Sequence, residues 1–230
     1  MRKTACGPRA ALCIQWGPSR ATAVGCAPHT IFNRINRACI MPNYRRTFLA
    51  GGTFFFTLVT QRRRPLFADD TARRCLGEAI RLVQAQQPFE MTAIVLLPNH
   101  LHCIWTLPDE DDDYSSRWAC IKRHFVESWT GVGGYEALIS DARLKRHERG
   151  IWQKRFWEHR IRNQTDMARH LNYIHYNPVK HGLVRCPHAW PHSSFHRWVK
   201  EGYYKHNWLC DCSNKPAVPP ELIDLPDSGE

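Results

Sequence analysis

The stretch PNHLHCIW, residues 98–105, indicates the centre of the fold of this chain. It lies inside a long apolar run, and the aliphatic and β-branched residues on both sides indicate two short strands that meet at Pro98. Residues two apart on a strand point to the same face, so His100 and His102 are expected to present two imidazoles side by side. Such a pair can form half of a divalent-metal site. Because the chain has 13 histidines, a chance pair of one buried and one exposed ring is an equally open interpretation.

The segments around this pair of strands predict an α+β fold. Residues 53–60, TFFFTLVT, are typical of a strand that is buried on both faces. Apolar residues at three- and four-residue spacing then predict a helix from Asp70 until Pro88. The two strands that share Pro98 are expected at about 91–97 and 100–107, and a second helix follows at about 115–129.

The second half of the chain adds one strand and one helix. Residues 131–150 are irregular, and aromatic and basic side chains alternate in an extended segment over 151–162. A helix is predicted from Thr165, and it is expected to stop by Asn177 because Pro178 disfavours helical backbone in the residue before it.

Two sets of residues distinguish the faces of this last helix. Three apolar residues recur at i, i+4 and i+7 and are predicted to face the core: Met167, Leu171 and Ile174. At about 100° per residue, four polar residues then cluster on the opposite face: Asp166, His170, Tyr173 and Asn177. The order β-α-β-β-α-β with an added helix predicts a ferredoxin-like antiparallel sheet with helices on one side.

The charge distribution suggests a polyanionic partner. The formal net charge is +11, residues 1–40 carry six basic and no acidic side chains, and the last ten residues carry four acidic and no basic ones. The body between them is therefore basic and also rich in aromatic residues, which is typical of nucleic-acid binding. A charge that serves only solubility is the open alternative.

Three parts of the chain are predicted from these patterns. Residues 1–40 show no periodicity and are interpreted as a disordered leader or as translation from a start upstream of the true one. A basic arm for DNA is the functional alternative for that segment. Residues 41–208 are predicted to form the folded domain, and residues 209–230 an acidic flexible tail.

Ten cysteines raise the question of disulfides or zinc. The chain has no Cys-x-x-Cys pair, and the closest spacing is Cys210-x-Cys212, so mostly reduced thiols are predicted and a structural zinc domain is disfavoured. No apolar run approaches the roughly 20 residues that span a bilayer, and residues 1–30 lack the apolar core of a signal peptide. The sequence therefore predicts a soluble cytoplasmic protein without a membrane partner.

Three segments, in this order and at these separations, go beyond generic patterns. They are residues 97–105 (LPNHLHCIW), 152–159 (WQKRFWEH) and 173–184 (YIHYNPVKHGLV). Together they resemble the signature segments of the REP-associated tyrosine transposases, a family of bacterial single-tyrosine HUH nucleases. The resemblance covers about 41–208, including Tyr44-Arg45-Arg46 near its start.

The resemblance implies an HUH nuclease fold that binds folded single-stranded DNA, the hairpins of repetitive extragenic palindromes, in the nucleoid. It implies cleavage through a 5′-phosphotyrosine, with Tyr173 as the nucleophile. By motif match, the ligands of Mg²⁺ or Mn²⁺ would be His100, His102 and Asn177, where Asn177 stands in place of the glutamine that related transposases often carry. Basic residues in and near the matching segments are the candidate DNA contacts: Arg45, Arg46, Lys154, Arg155, Arg160, Arg162 and Lys180. A monomer and a homodimer are both open.

Elementary chemistry is compatible with these roles. A phenol with a pKa of about 10 is a weak nucleophile, and a divalent ion on the scissile phosphate would activate its target. Two imidazoles and an amide oxygen leave positions open for substrate oxygens and water, which suits Mg²⁺ or Mn²⁺ better than a closed zinc site. Two alternatives stay open: Tyr173 is a packing residue, or the chain binds DNA hairpins without cutting them.

Overall fold

The computed structural model of the protein describes residues 46–146 and 149–210. The expected leader, residues 1–40, and the expected tail beyond residue 210 lie outside the described residues. Within the described part, the structure confirms the α+β prediction. The strands are β1 (Thr53–Val59), β2 (Glu90–Leu97), β3 (His100–Thr106) and β4 (Trp157–Arg160). The helices are α1 (Asp70–Gln86), α2 (Tyr114–Gly131), α3 (Asp141–Leu144), α4 (Gln164–Lys180) and α5 (Phe195–Lys200).

The four strands form one antiparallel sheet in the order β2-β3-β1-β4, which is the ferredoxin-like order. The two central strands, β1 and β3, pair from Thr53 opposite Thr106 to Val59 opposite His100. Because side chains alternate along a strand, this register sends odd and even positions of β1 to opposite faces of the sheet.

One face of the sheet is an aromatic core that α1 and α2 close. Phe54 and Phe56 of β1 and Trp105 of β3 are fully buried in it. Trp105 stacks on Trp118 of α2, with ring centroids 4.1 Å apart. Each such ring removes roughly 150–250 Å² from water, so this face supplies a large share of the hydrophobic stabilisation.

The other face is covered by α4 and the segment that follows it. Phe55 of β1 and Ile104 of β3 pack there with Leu171 and Ile174 of α4. The prediction of helices on one side of the sheet therefore describes the ferredoxin-like unit with α1 and α2. The added helix, α4, lies on the opposite face, which is why the central strands are buried on both sides.

Helix α4 differs from the sequence expectation at its end. It continues through Pro178 to Lys180, so the expectation that it stops by Asn177 is wrong. The proline removes one backbone N–H, but the helix keeps hydrogen bonds beyond it: the His181 N–H donates to the Asn177 carbonyl oxygen at 3.0 Å. The ring of Pro178 is itself buried, and its packing favours this last turn.

The faces of α4 also differ from the expectation. Leu171 and Ile174 pack into the core as predicted, but His170, Tyr173 and Asn177 are buried too, so they do not face away from the core. The two sets lie only about 80–100° apart on a helical wheel, and a helix enclosed by a sheet and a further segment buries both. The expectation of an opposite face is therefore wrong.

The segment after α4 folds back over it and onto the edge of the sheet. The Leu96 N–H donates to the His192 carbonyl oxygen at 2.9 Å, and the Ser194 N–H donates to the Ile94 carbonyl oxygen at 2.8 Å. The Tyr204 hydroxyl donates to the Asn172 side chain of α4 at 2.7 Å. These contacts hold α4 between the sheet and its own C-terminal continuation.

The cysteines also depart in part from the expectation. Cys75, Cys103 and Cys120 carry free thiols as predicted, whereas Cys186 and Cys210 are joined in a disulfide. The two are 24 residues apart, and the chain reversal through α5 brings them together, which no local spacing reveals. Within residues 46–146 and 149–210, no helix has the length and apolar character needed to cross a membrane.

Candidate active site

The two histidines of β3 lie on the face that α4 covers. Both rings are buried, and their centroids are 5.0 Å apart. His102 Nδ1 lies 2.8 Å from the hydroxyl oxygen of Thr57, its register partner on β1. His100 Nδ1 lies 2.6 Å from the side-chain oxygen of Asn99. Because an amide oxygen only accepts, His100 donates from Nδ1, and its Nε2 carries the lone pair that a metal ion needs.

Tyr173 lies directly across from this pair on α4. Its side chain is 1 % exposed, and its ring centroid is 5.3 Å from that of His102. The ammonium of Lys180 donates to the Tyr173 hydroxyl at 3.1 Å and also lies 4.7 Å from the ring centroid. A cation at this distance stabilises negative charge that develops on the phenol oxygen. Lys180, a candidate DNA contact in the sequence, is thus placed at the tyrosine.

Asn177 lies one helical turn after Tyr173 and is fully buried. The next position on the same side is His181, whose ring centroid is 5.1 Å from that of His100. Asn177 therefore lies between two residues that contact the histidine pair, and it shares one side of α4 with Tyr173, as the helical spacing predicts. The sequence patterns did not predict that His181 lies beside the histidine pair. Its spacing of four residues from Asn177 was the available signal, and the expected helix end at Asn177 concealed it.

A second polar cluster joins β4 to α4. His159 Nε2 lies 3.0 Å from Asp166 Oδ2, and the rings of His159 and His170 stack with centroids 4.4 Å apart. Arg162 donates its backbone N–H and its side-chain Nε to the same carboxylate, at 3.0 and 3.2 Å. Phe55 separates this cluster from the histidine pair, since its ring contacts both His170 and His102.

The charges in the second cluster are fixed by burial and hydrogen bonding. Burial alone would raise the pKa of the Asp166 carboxyl, but hydrogen bonds from His159 and Arg162 lower it to about 2. Burial lowers the pKa of His170. One ligand atom from each of His159, Asp166 and His170 lies within 4.8 Å of the others, so the group could hold a metal ion. In the structure these atoms instead form a hydrogen-bonded clamp on the first turn of α4.

The remaining candidate DNA contacts fall into three groups. Four are exposed: Lys154, Arg155, Arg160 and Arg162. Arg46 is half-buried, with its guanidinium 4.4 Å from the Phe156 ring centroid and 3.8 Å from Glu158, so it makes internal contacts. Arg45 lies outside the described residues. Lys154 also lines a groove of about 600 Å³ beside α2, together with Lys122 and Arg143.

Comparisons with known proteins agree with this geometry. No protein-family model matches the chain. The REP-associated tyrosine transposase of Escherichia coli (strain K12) is 44 % identical over 177 residues, which are 77 % of this chain and 96 % of that relative. The putative REP-associated tyrosine transposase of Haemophilus influenzae is 44 % identical over 168 residues, 73 % of this chain and 93 % of the relative.

A solved structure is similar as well. It is that of a REP-associated tyrosine transposase bound to a REP hairpin, with a TM-score of 0.65 and 42 % identity, and the match covers 83 % of this chain and 98 % of the solved one. Identity at this level over nearly the full length of the relatives is far above what a shared fold alone produces. The chain therefore belongs to the family of REP-associated tyrosine transposases.

Proposed function

We propose that this protein is a metal-dependent endonuclease and strand transferase that binds REP-type hairpins of single-stranded DNA and cleaves beside them. The observation that carries the proposal is the position of Tyr173 against His102, with ring centroids 5.3 Å apart across the interface of β3 and α4. The hairpin bound to the similar solved structure supports the substrate class. Such a substrate would place the protein at the nucleoid in the cytoplasm.

Tyr173 is the proposed nucleophile. Its phenol oxygen attacks the phosphorus, and the bond from phosphorus to the 3′ oxygen breaks. The departing oxygen takes up a proton and becomes a free 3′-hydroxyl, while the 5′ phosphate stays on the tyrosine. Lys180, 3.1 Å from the phenol oxygen, stabilises the charge on that oxygen as its proton leaves.

His100 and His102 are the proposed ligands of Mg²⁺ or Mn²⁺, with Asn177 as the third. The donor set fits this role, because the Asn99 side-chain oxygen accepts from His100 Nδ1 and leaves Nε2 for coordination, and the Thr57 hydroxyl orients the His102 ring through Nδ1. His181 beside His100 is a further candidate ligand. When bound, the ion would polarise the scissile phosphate and leave open positions for its oxygens.

The proposed DNA surface consists of exposed basic residues near β4 and the start of α4. Arg160 and Arg162 lie there, and Lys154 and Arg155 precede the strand. Aromatic residues interleaved with these cations are suited to single strands, because bases stack on rings while phosphates meet positive charges. We propose that residues 41–208 contain this nuclease unit, as a monomer or a homodimer.

A second candidate function is a hairpin-binding protein that does not cut. The observation that favours it is the burial of Tyr173, whose hydroxyl is in contact with Lys180. For cleavage, a phosphodiester must reach that oxygen, so the layer between α4 and β3 has to open around the substrate.

The experiment that decides between the two uses a labelled REP-type hairpin with a single-stranded flank. Wild-type protein with Mn²⁺ should form a covalent DNA adduct that survives denaturing electrophoresis. Tyr173→Phe should bind the hairpin with unchanged affinity and form no adduct. Tyr176→Phe, on the same helix, is the matched control and should form the adduct normally. Binding without any wild-type adduct would favour the second candidate, and an adduct in Tyr173→Phe would refute the nucleophile assignment.

The ligand assignment needs its own variants. His100→Ala or His102→Ala should abolish cleavage at every metal concentration tested. Asn177→Ala should be rescued in part by raised Mn²⁺, because an amide oxygen is the weakest ligand of the set. His181→Ala is the matched comparison: if it loses activity while Asn177→Ala behaves as wild type, the third ligand is His181.

A further inference from the structure

Four side chains with metal-binding atoms meet in the segment that follows α4. Cys186 precedes a short 3₁₀ turn after α4 and His188 lies within that turn, whereas His206 and Cys210 lie beyond α5. His188 Nδ1 is 4.0 Å from Cys210 Sγ. The rings of His188 and His206 have centroids 4.2 Å apart. One ligand atom each from Cys186, His188 and Cys210 lies within 4.8 Å of the others.

We propose that in the reduced protein these four residues form a structural zinc site of the Cys₂His₂ type. Zinc bonds of about 2.3 Å to sulfur and about 2.0 Å to nitrogen place tetrahedral ligand atoms roughly 3.3–3.8 Å apart. The distance of 4.0 Å between His188 Nδ1 and Cys210 Sγ is close to that range. Closing the site therefore needs the two sulfurs to move apart after reduction and the ring of His206, which stacks on His188, to turn one nitrogen toward the ion.

The ligands are spaced as two pairs, Cys-x-His and His-x-x-x-Cys, one on each side of α5. Two short pairs separated by an intervening element are the usual arrangement of structural zinc sites. Each pair combines one cysteine with one histidine, so neither contains the Cys-x-x-Cys motif by which zinc sites are usually found in a sequence.

The zinc site and the disulfide are alternative states of the same two sulfurs. Two electrons and two protons from a dithiol reductant convert the Cys186–Cys210 disulfide into two thiols. Each thiol then releases its proton as its sulfur bonds to zinc. In a reducing compartment the metal would thus perform the task that the disulfide performs in the structure, which is to close the segment from Cys186 to Cys210.

The zinc site would stabilise the segment that covers α4 on the side away from the sheet. Within this segment, Phe195, Tyr204 and Trp208 pack together, and the Tyr204 hydroxyl is bonded to Asn172 of α4. The sequence predicts that the folded domain ends at residue 208. With Cys210 as a zinc ligand, the folded unit would extend at least to Cys210. The proposal does not depend on Tyr173 or on the histidines of β3.

The test uses the full chain, purified with a reductant and without chelator. Elemental analysis after dialysis should find about one zinc per chain, and it should stay in the double variant His100→Ala/His102→Ala. Cys186→Ser and Cys210→Ser should each lose the zinc and melt at a lower temperature. Cys120→Ser is the matched control, since its thiol lies on α2 outside the cluster, and it should keep the metal.

A titration of wild-type protein with Co²⁺ makes the test independent of how the variants fold. Chelator-stripped, reduced chain should develop the thiolate-to-cobalt absorption and the strong visible bands of tetrahedral coordination, and its melting temperature should rise. The absence of both changes would overturn the proposal. Zinc that disappears in His100→Ala/His102→Ala but persists in Cys186→Ser would overturn it as well.

Discussion

The two faces of the central strands differ in composition: one is almost entirely apolar, and the other combines apolar residues with the histidine pair. On β1, Phe56 points into the aromatic core beneath α1 and α2, whereas the next residue, Thr57, points to α4 and contacts His102. On β3, Trp105 belongs to the aromatic face, and His100 and His102 belong to the α4 face. The alternation of side chains along each strand therefore places the aromatic core and the proposed metal ligands on opposite faces of the sheet. It also makes register essential, because a slip of one residue would exchange the two faces.

The largest effect on stability is expected on the aromatic face. Phe56 contacts the rings of Trp105, Tyr114 and Trp118. Phe56→Ala should lower the free energy of unfolding by about 3–5 kcal/mol, through lost burial and the cavity left behind. Denaturant unfolding measures it. At low temperature the folded fraction of Phe56→Ala should still bind Mn²⁺ like wild type. A decrease of less than about 1 kcal/mol in the free energy of unfolding would show that the aromatic face is loosely packed.

On the α4 face, the clamp around Asp166 should have an intermediate effect. Its pKa is lowered to about 2, so the carboxylate stabilises the fold above its unfolded pKa of about 3.9, and this stabilisation disappears as the pH falls from about 4 to about 2. Asp166→Asn should cost about 2 kcal/mol at neutral pH and flatten the acid limb of the stability curve. An unchanged acid limb would show that the clamp contributes nothing to folding.

Thr57 follows Phe56 on β1 and points to the opposite face of the sheet, so Thr57→Val tests the contribution of the α4 face. The change keeps the shape of the side chain and removes the hydroxyl that contacts His102 Nδ1, so the free energy of unfolding should fall by only about 1 kcal/mol. The affinity for Mn²⁺ should nevertheless drop about 10- to 100-fold, because the imidazole loses the group that orients it. Calorimetric titration measures this. An unchanged affinity for Mn²⁺ would show that Thr57 does not contribute to the proposed metal site.

The smallest effect on stability is expected at the surface. Arg155 is exposed, so Arg155→Ala should change the unfolding free energy by less than about 0.5 kcal/mol. If it binds a phosphate, the slope of log K against log salt for hairpin binding should become shallower by about 0.7. Arg46→Ala is the matched comparison. The contacts of Arg46 with Phe156 and Glu158 are internal, so this change should lower the free energy of unfolding and change the salt slope little.

The elements around the histidine pair were predictable because their signals are local. β1, α1, β2, β3 and α2 lie within a few residues of the expected bounds. Short apolar runs rich in β-branched and aromatic residues identify the strands, and apolar residues at three- and four-residue spacing identify the helices. The strand periodicity also placed His100 and His102 on one face, and the helical spacing grouped Tyr173 with Asn177. Family resemblance, not periodicity, gave these residues their proposed roles.

What the sequence did not reveal depends on contacts between distant segments. The last turn of α4, with His181 beside His100, forms because packing outweighs the backbone preference before Pro178. The contact of Lys180 with Tyr173 needs that same turn. The approach of Cys210 to His188 depends on the chain reversal through α5. Local propensity contains none of this information.

The position of Tyr173, the proposed nucleophile, along the chain bears on biosynthesis. The histidine pair is complete once β3 has paired with β1, but Tyr173 joins it only after α2, α3 and β4 have been made and α4 has docked. Such a long-range contact closes late, because the entropy of the intervening loop must be lost first. A chain still emerging from the ribosome folds from its N-terminal end, so it holds the two imidazoles without the tyrosine. If Tyr173 is the nucleophile, as we propose, unfinished copies of the protein would be unable to nick the single strands around them.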